Sequence, residues 1–193
     1  MYQKWLRMSL KKEKKLIFNV TFDEMGIKEW AKYCQQSKEW KGFENFGGQP
    51  QQSDVNGQPQ KAKKALVFML VNINGGFKTL VAYYLTNSVS GDGKSILLRD
   101  LLIMLHERQI NVVRVTFDGD ESNQKSCKLL GANFDYTNKE TFRPYFLHPA
   151  NNDSVYVFFD ACHMLKLIRN YLALKGPFIY NNKEIIDWIH IQI

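Results

Sequence analysis

Asp23, Asp118 and Asp160 each stand where a short apolar run stops: Leu16–Phe22, Val112–Phe117 (interrupted by Arg114 and Thr116) and Val155–Phe159. Runs this short, rich in Val and Phe, read as buried or half-buried strands. A carboxylate at the carboxyl end of a sheet strand sits where open α/β sheets place their ligands. Carboxylates that converge from neighbouring strands repel unless a cation lies between them, so the pattern points to a divalent metal site. Asp is also a common turn residue, and any one of the three can be only that. Mg²⁺ takes hard oxygen ligands and keeps several waters, so few protein carboxylates suffice. In a sheet ordered 3-2-1-4-5 the strands ending in Asp23 and Asp118 are neighbours, and these two acids face one another. Glu24, Asp120 and Glu121 are expected to face solvent.

Two further motifs compete for attention. Asp160-Ala-Cys-His163 opens a helix on which His163, Lys166, Arg169 and Asn170 share one arc at 100° per residue. Leu165, Ile168 and Leu172 lead the opposite, apolar side, expected to pack on the sheet. A basic arc beside acids would suit a nucleic-acid backbone, and an ordinary solvated helix face explains it as well. GDGKS at 91–95 lacks the Gly that a phosphate-binding loop needs at position 88, which is Ser88. A turn before a helix, with Ser95 as its cap, accounts for those glycines.

The elements that must position these residues follow from periodicity. A strand enters Asp23, and residues 27–46 mix aromatics and charges without a clean period, reading as a turn and a second strand around Lys41–Phe46. Residues 47–64 are Gly-, Gln- and Pro-rich and read as a flexible loop. Ala65–Ile73 and Thr79–Leu85 form a strand pair across the turn signal Asn74-Gly75. A buried helix is predicted over 95–109, a strand over 111–117, and a short helix over 122–130 closed by Gly131. A turn-rich stretch, 133–153, precedes the third strand and a helix over 162–174 that Gly176-Pro177 stops. Antiparallel strands first and crossover helices later describe a mixed α/β sheet. Val-Thr-Phe-Asp occurs at both 20–23 and 115–118 and, at four residues, reads as coincidence.

Composition bounds the answer. The chain has 193 residues, 45% of them hydrophobic, with 13 Phe, 9 Tyr and 4 Trp, which is enough for a sizeable core. A net charge of +7 fits a polyanionic partner without requiring one. Cys34, Cys127 and Cys162 form no CxxC pair, so neither a disulfide framework nor a zinc knuckle is expected. No apolar leader and no long apolar run appear, so an intracellular protein with no membrane partner is expected.

FDEM (22–25), ALVFML (65–70), VAYYLTN (81–87), VTFDGDESN (115–123) and FDACHMLKLIRN (159–170) together resemble, in the same order, the P-element-type transposases, including the THAP-domain transposases of animals. The resemblance covers roughly residues 16–193, and the last phrase, D-x-x-H-x-x-K-x-x-R-N, is its most specific part. It implies an RNase H-like fold, a mixed sheet of order 3-2-1-4-5 with flanking helices, here incomplete. It implies the amino-terminal part of a metal-dependent catalytic domain that cuts and joins DNA, with Asp23 and Asp118 as the first two acids and metal ligands, using Mg²⁺ or Mn²⁺. Asp160 and His163 fall on a family motif outside the catalytic triad, as supporting residues, and Lys166 and Arg169 as DNA contacts. The third acid, a Glu, is expected beyond an inserted GTP-binding domain that is absent here, and no GTP site is expected in this chain. Residues 1–15, with Lys11, Lys12, Lys14 and Lys15, are a basic lead-in without the Cys and His of a THAP zinc domain; 16–175 are the RNase H-like part; 176–193 begin the connection to the inserted domain. Transposon-end DNA is the implied partner, a second copy of the chain is left open, and the implied location is the nucleus. Lacking its Glu, the part is expected to be inactive alone. Two alternatives stay open: a non-catalytic DNA- or protein-binding remnant of a transposase, and a metal-independent α/β scaffold whose aspartates are turn residues.

Overall fold

The computed structural model describes residues 16–46, 59–180 and 184–187. The basic lead-in, most of the Gly/Gln/Pro-rich stretch and the end of the tail lie outside them. The chain divides into two compact units, up to Phe158 and from Phe159 on.

The first unit is built on a sheet. Its strands are β1 (Phe18–Gly26), β4 (Lys64–Asn72), β5 (Lys78–Thr86), β6 (Val112–Phe117), β7 (Tyr145–Leu147) and β8 (Ser154–Phe159). They form a six-stranded sheet in the order β5-β4-β1-β6-β8-β7. Without the edge strand β7, this is the expected order 3-2-1-4-5. β1 is antiparallel to β4 along its whole length, from Phe18↔Asn72 to Gly26↔Lys64. It is parallel to β6 only from Phe18↔Val112 to Thr21↔Thr116. The sheet therefore parts between β1 and β6 just before Asp23, while β1 continues beside β4. The apolar run ends at Asp23, but the strand does not.

Alternation along the strands separates two faces. Val20, Phe22, Leu66, Phe68, Leu70, Val115 and Phe117 point to one face and are almost completely buried. Phe22 stacks on Phe68 with ring centroids 5.3 Å apart and meets Phe117 at 5.2 Å. Burying a side chain of this size contributes about 1.5–3 kcal/mol, which makes this aromatic row the anchor of the sheet centre. The opposite face carries Asn19, Thr21, Arg114 and Thr116, joined by hydrogen bonds from Asn19 Nδ2 to Thr21 Oγ1 (2.8 Å) and from Thr116 Oγ1 to Asn19 Oδ1 (2.9 Å). Leu80, Tyr83, Tyr156 and Phe158 are exposed on the sheet.

Helix α1 (Gly91–Glu107) buries Leu98, Leu101, Leu102 and Leu105, and α2 (Glu121–Leu129) packs beside it. α1 starts four residues earlier than its apolar pattern predicts. Ser90, not Ser95, is its cap: Ser90 Oγ accepts the Gly93 N–H at 3.2 Å, and Asp92 in the first turn favours the positive helix end. Ser95 instead donates to the Asp92 carbonyl within the helix. A Cβ on Gly91 would lie 2.7 Å from Lys125 Cβ, so glycine lets the two helices meet. α2 ends as expected, with Gly131 at φ +114°.

The predicted strand at 41–46 is replaced by a small hairpin, β2 (Lys32–Cys34) and β3 (Glu39–Lys41). Gly42, at φ +101°, ends it, and residues beyond make only single bridges, Phe43↔Lys61 and Asn45↔Leu85. The turn-rich stretch 133–153 also contains β7, whose Phe146 is buried.

The second unit holds α3 (Ala161–Lys175) and the hairpin β9 (Phe178–Tyr180)–β10 (Glu184–Ile186). Tyr171 stacks on Phe178, centroids 4.8 Å apart. The expectation of a buried apolar face on α3 is corrected: Leu172 is its buried residue, whereas Leu165, Leu167, Ile168, Tyr171 and Leu174 are exposed. The helix carries more apolar side chains than one face can cover.

Candidate active site

The repeated Val-Thr-Phe-Asp is the geometric basis of the site. Val20 pairs with Val115 and Thr21 with Thr116 in the parallel ladder, and the Phe22 and Phe117 rings are in contact. The ladder ends at Thr21↔Thr116, and Asp23 and Asp118 follow the two phenylalanines where the strands part. The two Val-Thr-Phe segments thus lie on adjacent strands, each followed by its aspartate.

Asp23 and Asp118 line one open cleft of about 610 Å³, together with Glu24, Lys64, Lys94, Asn123 and residues at the starts of both helices. It opens where β1 and β6 part, at the carboxyl ends of the strands, as the topological switch of an open sheet requires. Asp118 is half-buried and oriented: its Oδ1 accepts Asn123 Nδ2–H at 2.7 Å and the Asp120 N–H at 3.1 Å. Asp23 is exposed, and its Oδ1 accepts the Glu24 N–H at 2.8 Å.

Lys94 is a site residue that sequence reasoning misses. It is only 3% exposed, and its Nζ donates to Ser122 Oγ at 2.6 Å and Asn123 Oδ1 at 2.8 Å. The same ammonium lies 2.9 Å from Glu24 Oε1, while Lys64 Nζ holds Glu24 Oε2, also at 2.9 Å. One buried cation thus ties the residue after Asp23 to the residue that orients Asp118. Burial pushes the Glu24 carboxyl up, but the Lys94 and Lys64 ammonium groups beside it outweigh burial and hold it below its ordinary 4.5. The expectation that Glu24 faces solvent is therefore corrected: its alternation parity puts it on the helix-covered face, within reach of α1. The failed phosphate-loop signature did contain a site-building residue, for a different reason than phosphate binding. Only the fold could reveal it, because Lys94 and Glu24 are far apart in sequence.

Asp120 is the N-cap of α2, accepting the Ser122 N–H at 2.8 Å and the Ser122 hydroxyl. Its carboxyl is held below the ordinary range chiefly by Ser122. Glu121 is exposed at the cleft rim. Asp160 is likewise an N-cap: its Oδ1 accepts the N–H groups of Cys162 (2.8 Å) and His163 (3.2 Å) at the start of α3. Asp160, His163, Lys166 and Arg169 belong to the second unit, and Arg169 donates to Asn170 Oδ1 at 3.0 Å. The cleft of the first unit brings together Asp23 and Asp118 of the sequence-predicted residues. Among the described residues no group of three or more His, Cys, Asp or Glu is placed to hold a metal ion. Asp23 and Asp118 offer this cleft oxygen donors, the ligand type that Mg²⁺ and Mn²⁺ take.

Residues 4–131 match the family described as TNP-like, RNase H N-terminal domain. The chain belongs to that family. The human DNA transposase THAP9 is 30% identical over 147 residues, which are 76% of this chain and 16% of that protein. The Drosophila P element transposase, solved as a strand transfer complex, superposes with a TM-score of 0.67 at 20% identity, covering 91% of this chain and 33% of that one. The chain therefore spans a minor part of both relatives, and its sheet and helices form an RNase H-like fold. No described helix is long and apolar enough to cross a membrane.

Proposed function

We propose that this chain contributes the amino-terminal part of the catalytic domain of a DNA transposase, with Asp23 and Asp118 as catalytic metal ligands. The observation that carries the reading is the parallel pairing of β1 and β6 up to Thr21↔Thr116, beyond which Asp23 and Asp118 both line the cleft where the strands part. A bound Mg²⁺ or Mn²⁺ would activate the attacking oxygen or stabilise the leaving oxygen of a phosphodiester. The chain's own residues prepare the place. Asn123 and the Asp120 amide fix one oxygen of Asp118, and Lys94 with Lys64 engages Glu24 so that it is not offered as a competing ligand. Boundaries that go with this reading are a basic lead-in over 1–15, the RNase H-like part over 16–175 and a connection from 176 on. DNA is the substrate and the nucleus is where it would be met. Two relatives support this: the human one is a DNA transposase, and the Drosophila one was solved in a strand transfer complex.

Two carboxylates are a sparse metal site, and a further acid is needed to align an in-line attack, where a misplacement of about 1 Å can cost on the order of a hundredfold. That scarcity favours a second reading, a transposase remnant that binds DNA or protein without chemistry. Calorimetric titration with Mn²⁺ and Mg²⁺ separates the two. Wild type should bind and the Asp23→Ala/Asp118→Ala double variant should not; equal heats for both would leave only the remnant.

A further inference from the structure

The β2–β3 hairpin lies outside the acid cleft, yet it is built like a binding surface. Tyr33 and Trp40 are cross-strand partners with ring centroids 5.8 Å apart at 67°. Trp30, Tyr33 and Trp40 are 48%, 45% and 61% exposed, a large aromatic area to leave in water. The base of the hairpin is held firmly. A Cβ on Gly42 would lie 2.0 Å from the Trp30 carbonyl oxygen, so this glycine lets the outgoing chain close against Trp30. Ala62 N–H then bonds to the Gly42 carbonyl at 2.9 Å, and Ile27 N–H to the Lys63 carbonyl at 2.9 Å. A hollow of about 590 Å³ is lined by Trp30, Lys32, Tyr33 and Lys41, and a second of about 510 Å³ by Trp40, Phe43 and Pro59.

The charge around these rings is one-sided. Glu39 pairs with Lys41 at 2.6 Å and Glu29 with Lys63 at 3.8 Å. Lys28, Lys32, Lys38 and Lys61, all exposed, then carry the excess positive charge. Flat aromatic faces for stacking, spaced among lysines for phosphates, are what an unpaired nucleic-acid strand requires. A duplex hides its base faces in its own stack, and an acidic peptide would use the lysines but not the rings.

We propose that the hairpin is a stacking platform for single-stranded nucleic acid, with Trp30 and Trp40 receiving bases and Lys32 and Lys61 contacting phosphates. It stands on the hairpin alone and survives failure of the acid pair. The test is fluorescence anisotropy with a labelled oligothymidylate, a duplex of equal length and polyglutamate. The oligothymidylate should bind tightest, and Trp30→Ala or Trp40→Ala should each weaken it about tenfold. Trp40→Leu keeps apolar bulk without a π face and should weaken it equally, while Trp40→Phe should keep most of the affinity. Lys32→Gln/Lys61→Gln should lower the slope of log affinity against log salt by about 1.4. Circular dichroism restricts the comparison to folded variants. Duplex or polyglutamate binding as tightly as the single strand, or Trp40→Leu binding as wild type, would overturn the platform.

Discussion

The β6–α2 and β8–α3 junctions look alike in sequence and do different work. Each is an apolar strand followed by an aspartate and then a helix. At β8–α3 the helix begins at once, so Asp160 must cap it, and its Oδ1 is engaged by two backbone N–H groups. At β6–α2 two residues intervene, Gly119 and Asp120, and Asp120 takes the capping role. Asp118 is thereby released from the helix and turned by Asn123 towards the cleft. Where a second acid takes over the cap, the strand-terminal acid is left at the cleft.

The largest expected effect comes from disturbing what holds the β6–α2 side together. Lys94→Met should destabilise the first unit by about 3 kcal/mol, because it leaves Glu24 half-compensated and Asn123 without a buried donor. Chemical denaturation measures it; a loss below about 0.5 kcal/mol, the range of ordinary surface substitutions, would show that Lys94 is not a hub of this side. The same lysine sets an acid dependence. A carboxyl held low in the folded state, as Glu24 is, contributes stability above its unfolded value of 4.5 that is lost as pH falls through its lowered folded value. Melting temperature should therefore drop on acidification from neutral pH to about pH 3, and Lys94→Met should drop less steeply.

Smaller effects test the capping contrast itself. Asp120→Ala and Asp160→Ala should each cost about 1 kcal/mol of helix-cap stability, read by denaturation of the intact chain. Asp118→Asn should change stability by no more than about 0.5 kcal/mol, since an amide oxygen still accepts from Asn123, yet should abolish any Mn²⁺ heat. If Asp118→Asn proves as destabilising as Asp160→Ala, the two junctions are equivalent and the division of labour is wrong.

Much of the fold is legible because it is written in local periodicity. The apolar runs mark β1, β4, β5, β6 and β8, and the Gly131 and Gly176 stops mark the ends of α2 and α3. Residues 27–46 defeat a reading by period because their aromatics pair across a hairpin rather than along one strand, and β7 hides among turn residues. The start of α1 lies one turn before its apolar pattern, since Ser90-Gly-Asp-Gly is capped rather than apolar. Asp23 and Asp118 can be nominated by type and position. Lys94 cannot, because neither its burial nor its partners leave a mark in the residues next to it.

What the sequence by itself determined is the strands β1, β4, β5, β6 and β8, the helices α1, α2 and α3 and the two acids that follow Val-Thr-Phe, since side-chain alternation and capping act over a few residues. Only the tertiary structure decided that β7 extends the sheet edge, that β1 runs on past Asp23 beside β4 while parting from β6, and that Lys94 and Glu24 meet. Those outcomes depend on burying one face of a shared sheet under α1. Whether a charge is paired or exposed is settled by what packs against it, not by what adjoins it in the chain.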